Sequence, residues 1–327
     1  MVDKELFALI AQQALEALYQ KRDAVRNVDG KAAAAQIART AKSAATRGAT
    51  AASKTASFLR TDAGKMTATI VAGAAIGATI GMLVRRFEPH VRWHTKYGPA
   101  FVLTERTDAG EKLRSMVVGN VYQSATYVGA RWNELPFEYY RAFDHMFDAG
   151  ILIQSTLMLG GGGFAYPKHL LSKHDDVIMD VVESDPKIIE LALDHFYLDR
   201  LMEECGNRLN VNISEGLSYL QTTTHTYDAI INDAFRGARP DADLDTIEAA
   251  KLVHARLNPG GLYLVNVVAY PSNSQGYSHL EELTERLGKV FHAVWILPST
   301  DEEFSEEENY LVIASDGDYD FPEAITW

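Results

Sequence analysis

Short apolar runs and amphipathic segments alternate through the second half of the chain. Runs rich in β-branched and aliphatic residues predict five strands, at 152–159, 177–183, 209–213, 228–232 and 262–268. Apolar residues at helical spacing predict helices between them, at 167–174, 186–197, 245–256 and 278–289. Strands that alternate with helices in this way favour a parallel sheet with helices on both faces.

Two further strands are predicted towards the C-terminus, at 291–297 and 309–315, with only the acidic stretch STDEEFSEEEN between them. A connection without a helix implies an antiparallel pair, because parallel strands need a long crossover. We therefore predict an α/β fold with a doubly wound, seven-stranded mixed sheet. This layout resembles that of class I methyltransferase-like folds. The acidic stretch is expected to be a solvated loop.

Upstream of this region, three runs of β-branched and aromatic residues predict a small antiparallel sheet, at 99–105, 112–119 and 121–128. A helix is predicted at 136–147. These elements divide the chain into three parts: a helical arm over 1–90, a small antiparallel β-unit over 91–135, and a nucleoside-binding domain over 136–327.

The arm has the pattern of helices that lack a core of their own. Residues 4–20 predict an amphipathic helix, and 31–60 form a tract of Ala, Thr and Ser with spaced basic residues. Residues 66–84 carry no charge, and their glycines recur four positions apart, so this segment is a candidate transmembrane helix. The alternative is a buried, Ala- and Gly-rich helix of a soluble oligomer.

Charge distinguishes the arm from the rest of the chain. Residues 1–90 hold 13 Lys and Arg against 7 Asp and Glu, whereas 91–327 hold 18 against 37. An acidic body disfavours nucleic acid as a partner, because phosphate contacts supply most of that affinity. The single cysteine, Cys205, excludes a disulfide framework and a thiolate zinc site, and the ten histidines form no close-spaced set with carboxylates. We therefore expect no metal, and a cytoplasmic catalytic domain that is membrane-anchored if 66–84 spans a bilayer.

Four consecutive glycines, Gly160–Gly163, follow the first strand of the alternating region in STLMLGGGGFA. A phosphate-binding P-loop is excluded, because no Gly-Lys-Ser/Thr follows. The dinucleotide fingerprint is met literally by Gly160, Gly162 and Ala165, with Glu183 at a suitable distance onward. A nucleoside pocket of the S-adenosylmethionine type is the other possibility, and the remaining motifs decide between the two.

Those motifs follow the other strands of the predicted sheet. Glu183 ends the second strand in VVESDP, and Glu215 with Gly216 follows the third in NISEGLSYL. Asp233 ends the fourth strand in YDAIINDAF, and LNPGG introduces the fifth. An open α/β sheet binds ligands at the carboxyl ends of its strands. The placement of NDAF and LNPGG disfavours a nicotinamide enzyme and favours the nucleoside pocket.

Taken together, LMLGGGG, VVESDP, SEGLSYL, YDAIINDAF and LNPGG resemble the spermidine synthase family of aminopropyltransferases, over about 118–313. GNVYQSATYV and FEYYRAF fit the β-domain and first helix of that family. The resemblance implies a donor, either S-adenosylmethionine or its decarboxylated form, a small-molecule acceptor that the sequence does not identify, and a homo-oligomer. It also implies that Glu183 binds the ribose of the donor and Glu215, beside Gly216, its adenine. The loop that passes beneath the nucleoside would be Gly160, Gly161 and Gly162.

The resemblance also assigns the acceptor side of the site. Asp233 takes the catalytic position, where it accepts a proton from the attacking amine. Gln123, Tyr139 and Tyr140 are expected to line the mouth of the site, and Arg236 is a candidate contact of the substrate.

Three positions depart from the family pattern. Gly163 stands where the family has an Asp, Arg236 replaces the second acid of the fourth-strand motif, and Tyr140-Arg141 replaces a His-Glu pair. A doubly protonated diamine needs carboxylates to offset its desolvation, so these changes disfavour a simple diamine as acceptor. They suit a donor or an acceptor that carries a carboxylate. The alternative hypothesis is a non-catalytic nucleoside-binding or scaffold protein.

Overall fold

The structure is a computed structural model. It describes residues 90–107, 109–118, 121–237, 239–269, 274–299 and 308–325. The predicted helix at 4–20, the basic tract at 31–60 and the candidate transmembrane segment 66–84 lie outside these residues, as does most of the acidic stretch before the last strand. Within the described ranges, no helix is both long and apolar enough to cross a bilayer.

The first part of the described chain is a four-stranded antiparallel sheet. Its strands follow one another in space as they do in sequence: β1 His90–Thr95, β2 Gly98–Arg106, β3 Lys112–Val118 and β4 Val121–Tyr127. Strand β1 was not predicted, because HVRWHT lacks a clear apolar alternation. The register between β3 and β4 shifts so that Gln123 is an extra residue on β4. Such a bulge bends a strand and redirects its side chains.

A 3₁₀ helix, Glu138–Phe147, connects this sheet to the α/β region and replaces the helix predicted at 136–147. The remaining strands are β5 Ser155–Leu159, β6 Ile178–Glu183, β7 Leu209–Ile213, β8 Tyr227–Asn232, the short pair β9 Phe235–Arg236 and β10 Arg239–Pro240, β11 Leu257–Ala269, β12 Ala293–Ser299 and β13 Glu308–Ser315. Seven of them form one sheet in the order β12-β13-β11-β8-β5-β6-β7. Five strands are parallel, and β13 runs antiparallel to both β11 and β12. The predicted seven-stranded mixed sheet is confirmed.

The helices of this region are α1 Ala165–Lys173, α2 Pro186–His195, α3 Leu198–Cys205, α4 Gly216–Thr222, α5 Ile247–Arg256 and α6 Ser274–Gly288. Helix α2 begins where Asp185 accepts a hydrogen bond from the Lys187 N–H at 2.9 Å, with a proline at the first helical position. Helices α3 and α4 were not predicted. Each has at most eight residues, which is too short for an apolar period to stand out.

The core lies on both faces of the large sheet. Met158 belongs to the hydrophobic cluster that also contains α1, α2 and α3, whereas its neighbours Leu157 and Leu159 belong to the cluster with α5 and α6. Alternate residues of a strand point to opposite faces, so β5 is buried on both sides. Helices therefore cover both faces of the sheet, and sheets of this kind bind ligands at the carboxyl ends of their parallel strands.

Candidate active site

The glycine loop and Asp233 meet where the strand order of the large sheet reverses. From β5 the chain leads to β6 on one side, and β8 lies on the other. Leu159 pairs with Asn232 at the ends of these strands, and the Asp233 N–H donates to the Leu159 carbonyl at 2.9 Å. The next residues, Gly160 and Asp233, therefore leave the sheet side by side. Such a switch point is the usual ligand site of an open α/β sheet.

Gly160 has no room for a side chain. Its φ is +95°, a backbone conformation that favours glycine, and a Cβ atom there would lie 2.4 Å from the carbonyl oxygen of Asp233. A Cβ atom at Gly161 would lie 3.0 Å from the ring of Phe164. Gly160 is thus required for the backbones at the ends of β5 and β8 to approach each other, and a side chain at Gly161 would crowd Phe164.

Glu183 joins the glycine loop to the end of β6. Its Oε2 accepts hydrogen bonds from the N–H groups of Gly161 at 3.2 Å and Gly162 at 3.0 Å, and its Oε1 accepts from the Asp185 N–H at 2.9 Å. Burial raises the pKa of this carboxyl, and the three backbone donors oppose the rise. The side chain is placed at the loop where the resemblance expects a ribose-binding carboxylate.

Asp233 lies at the bottom of the site, enclosed by protein but still partly exposed. The Asn266 Nδ2 donates to its Oδ1 at 2.8 Å. Burial raises the pKa of Asp233 to about 7, and the hydrogen bond from Asn266 opposes the rise. A carboxylate with a pKa near the working pH is well matched to accepting a proton from a nucleophile. Asn266 was not predicted as a site residue.

Tyr139 and Tyr140 are residues of the 3₁₀ helix and lie next to Asp233. Their ring centroids are 4.1 Å apart, and the side chain of Tyr140 is buried. Burial raises the pKa of both phenols, and the negative charge of Asp233 raises each of them further. Both tyrosines therefore remain neutral and enclose one side of Asp233.

Gln123, the bulge residue of β4, lies between the glycine loop and the hairpin that follows β8. Its Nε2 donates to the Gly237 carbonyl at 3.2 Å. Its own backbone carbonyl faces Gly162, where a Cβ atom would lie 3.7 Å away. The structure thus brings Gln123 to the same edge as Gly162 and Asp233.

Glu215 precedes Gly216, the first residue of α4, at the carboxyl end of β7. Its carboxylate forms an ion pair with the ammonium of Lys96, a residue of the turn between β1 and β2. The Lys96 N–H also donates to Asp185 Oδ2 at 2.6 Å. The hydrogen bond to Glu215 raises the pKa of Lys96. Lys96 was not predicted, since a single lysine in a turn carries no sequence signal.

Arg236 lies on the β9–β10 hairpin and is exposed. Its guanidinium contacts Asp241 Oδ1 at 2.9 Å and Asp243 Oδ2 at 2.5 Å. The hydrogen bond to Asp243 raises the pKa of Arg236. Two carboxylates of the segment that follows β10 thus offset the cation that the sequence places at this position, a compensation that the motif alone did not indicate.

Gly163, the position where the family has an Asp, faces a filled space. A Cβ atom there would lie 2.6 Å from Ser124 Oγ and 2.9 Å from Cδ1 of the Phe196 ring. Ser124 is buried on β4 and was not predicted as a site residue. Its proximity to the loop arises from packing of the small sheet on α1, which no local motif encodes.

Among the residues that the structure describes, no three His, Cys, Asp or Glu side chains are grouped so that they could hold a metal ion.

Residues 152–297 match the family model of the spermine/spermidine synthase domain. A probable polyamine aminopropyl transferase of Bifidobacterium longum is 30% identical over 137 residues, which are 42% of this chain and 29% of that protein. Over this region the chain is similar to spermidine synthases. It spans less than half the length of the curated relatives that it matches.

Solved structures support the fold of this spermidine synthase-like chain. A probable spermidine synthase from Corynebacterium glutamicum has a TM-score of 0.58 at 21% identity, over 70% of this chain and 81% of that one. A spermidine synthase in complex with the transition-state analogue AdoDATO has a TM-score of 0.58 at 18% identity, over 71% of this chain and 74% of that one. At these identities the likeness establishes the architecture alone.

Proposed function

We propose that this spermidine synthase-like protein is a transferase that binds a donor of the S-adenosylmethionine type, intact or decarboxylated, at its glycine loop. The proposal rests mainly on one observation. The Asp233 carboxylate, whose pKa lies at about 7, leaves β8 directly beside the glycine loop at the switch point of the sheet. A proton acceptor therefore lies beside a stretch of backbone that carries no side chains.

The residues around the loop fit such a donor. Gly160 and Gly161 present backbone without side chains, which allows a nucleoside to lie against them. Glu183 is held at the loop, where a ribose would exchange hydrogen bonds with its carboxylate. Glu215 lies at the next strand end, where an adenine amino group would donate to it. When bound, the donor supplies an electrophilic carbon attached to a sulfonium.

Asp233 performs the proton transfer in this proposal. An alkylammonium has no lone pair with which to attack, so a nearby carboxylate must bind it and accept its proton. Asn266 holds the Asp233 carboxylate in one orientation. Tyr139 and Tyr140 enclose the carboxylate and limit the access of water. Positioning of the two substrates then supplies most of the remaining acceleration.

The acceptor in this proposal is not a simple diamine. The family's carboxylates are absent at Gly163, Arg141 and Arg236, so few charges remain to offset a buried dication. Asp241 and Asp243 do not replace the missing carboxylates, because both are already paired with Arg236. Curated relatives are named polyamine aminopropyltransferases, and this chain differs from that pattern at the acceptor side.

The proposal is tested by product analysis with the full chain. The protein is incubated with each donor and a panel of mono-, di- and amino-acid amines, and released methylthioadenosine or adenosylhomocysteine is quantified. We expect release that depends on an acceptor other than putrescine and that falls at least a hundredfold in Asp233→Asn. Saturable donor binding without release for any acceptor would favour the non-catalytic scaffold.

Two further proposals rest on sequence and resemblance alone: homo-oligomer formation, and membrane attachment through 66–84 of a catalytic domain that faces the cytoplasm. Flotation of the full chain with liposomes tests the attachment. We expect co-flotation that Ile76→Asp abolishes, because a charge at the middle of the segment opposes insertion. Equal flotation of both proteins would contradict the anchor.

A further inference from the structure

Ser124 presents a buried hydroxyl with unused hydrogen-bonding capacity. Its side chain is 1% exposed, and within the described residues its Oγ has no hydrogen-bond partner of acceptable geometry. Tyr140 is near enough for Ser124 to affect the pKa of its phenol. Most buried hydroxyls in proteins are paired, so an unpaired one beside the glycine loop calls for an explanation.

This hydroxyl occupies the space that a side chain at position 163 would need. A Cβ atom on Gly163 would be 2.6 Å from Ser124 Oγ and 2.9 Å from Ser124 Cβ. An Asp at this position would collide with Ser124 and with the Phe196 ring. The glycine and the serine therefore act together: the carboxylate that the family pattern places here is absent, and a neutral hydroxyl stands in its place.

Lys168 lies behind the same loop, and no carboxylate among the described residues forms an ion pair with it. Its side chain is 1% exposed, and its Nζ donates to Thr126 Oγ1 at 2.8 Å and to the Phe196 carbonyl at 3.0 Å. Both acceptors are neutral, and burial lowers the pKa of the Lys168 ammonium to about 7. An anion brought near would stabilise the charged form, since opposite charges attract more strongly inside a protein than in water.

Lys168 and Ser124 belong to the same region of the site. Thr126 lies two positions beyond Ser124 on β4, so the two side chains share a face of the strand. Phe196 accepts the Lys168 hydrogen bond and also places its ring against Gly163. These contacts bring two titratable groups to the region, Lys168 from α1 and Tyr140 from the 3₁₀ helix, and the charge of Asp233 in turn raises the pKa of Tyr140.

We propose that the Ser124 hydroxyl binds the amino-acid tail of the donor and that the Lys168 cation selects a tail with a carboxylate. The preferred donor is then intact S-adenosylmethionine and not its decarboxylated form. This inference rests on the proposed function. Ser124 contacts the tail of the donor, and Lys168 acts on it through its charge.

Calorimetric titration of the full chain separates the contributions. Methylthioadenosine lacks the amino-acid tail, so its affinity reports the nucleoside site alone. We expect intact S-adenosylmethionine to bind more tightly than the decarboxylated donor. Ser124→Ala should weaken S-adenosylmethionine about tenfold or more, the effect of removing a hydrogen bond to a charged group, and should leave methylthioadenosine unchanged. Lys168→Met should bring the affinities of the two donors closer together.

Ser155→Ala is the matched control, because Ser155 is the first residue of β5 and lies at the end of that strand away from the glycine loop. It should change none of the three affinities, and thermal melts establish that each variant is folded. Tighter binding of the decarboxylated donor, or an unchanged S-adenosylmethionine affinity in folded Ser124→Ala, would overturn this inference. A wild-type protein that binds no methylthioadenosine would instead overturn the proposed function.

Discussion

Asp233 is the residue whose environment most determines what this site can do. Its carboxylate is held by Asn266 and enclosed by protein, and burial raises its pKa from 3.8 to about 7. The burial that raises this pKa also opposes the ionised form. Asp233 therefore lowers the free energy of unfolding at any pH at which its carboxyl is charged.

This predicts a pH-dependent effect of Asp233→Asn on stability. The folded-state pKa is raised, so the stability present below pH 3.8 is lost as the pH rises through about 7. Asparagine does not ionise and still offers an oxygen to Asn266. Thermal melts should show the variant gaining stability relative to wild type between pH 4 and pH 8. A difference in melting temperature that is the same at both pH values would contradict the assignment.

Lys168 has the opposite pH dependence. Burial lowers its pKa from 10.5 to about 7, so between these values the unfolded chain binds the extra proton. Its contribution makes the folded protein more stable as the pH rises from about 7 towards 10.5. In Lys168→Met this rise should disappear, which chemical denaturation at pH 7 and pH 9.5 measures against wild type. Parallel slopes for the two proteins would show that the lysine is not buried as described.

At the residue scale, a position in the fold could be predicted where a motif carries the geometry and could not be predicted where packing determines it. Glu183 and Asp233 lie at the predicted edge because the ends of parallel strands necessarily meet there. Ser124 and Lys96 come from the small antiparallel sheet, and only the packing of that sheet brings them to the site. The ion pairs of Arg236 depend on a hairpin turn that the motif does not encode.

The glycine loop is the element that joins the two halves of the site. It leaves β5 between the ends of β6 and β8, and its first residue touches the backbone of Asp233. The loop therefore sets the distance between the proposed nucleoside site and the proposed base.

Gly160→Ala should separate these halves. A methyl group would lie 2.4 Å from the Asp233 carbonyl, and the positive φ adds strain. We expect a loss of about 1–3 kcal/mol in the free energy of unfolding together with loss of nucleoside binding. Gly110→Ala is the control, because Gly110 also has a positive φ but nothing lies within 4 Å of its Cβ position. The prediction is wrong if both variants lose equal stability and Gly160→Ala still binds.

Most of the large sheet was predictable at the element scale, because strands buried on both faces appear as continuous apolar runs. The closing antiparallel pair β12–β13 followed from a short connection without a helix. Strand β1 and helices α3 and α4 were missed, since they are short or mix polar and aromatic residues. Their positions are determined by the elements they pack against.

At the scale of the whole described region, the small sheet and the large sheet share contacts around the site. Arg114 of β3 donates to the His195 carbonyl at the end of α2 at 2.7 Å, and the Gly129 N–H donates to the Tyr197 hydroxyl at 3.1 Å. The bond from Lys168 to Thr126 is a third, buried link. Contacts of this kind couple the stabilities of two sheets.

We therefore predict that both sheets open together. In native-state hydrogen exchange of the full chain, peptides that cover β2 and β11 should converge on the same opening free energy and the same denaturant dependence. Earlier and independent exchange of β2 would show that the small sheet is a separate folding unit, and would weaken the argument that Ser124 is held rigidly against the loop.

The most direct test of the account is the binding of methylthioadenosine to the full chain, measured by calorimetry. This nucleoside carries the adenine and ribose of both donors without their tails, so it probes the glycine loop and Glu183 apart from acceptor and donor preference. We predict saturable binding with one site per chain, retained in Asp233→Asn and lost in Gly160→Ala. No detectable binding to the folded wild-type protein would contradict a nucleoside site at this loop.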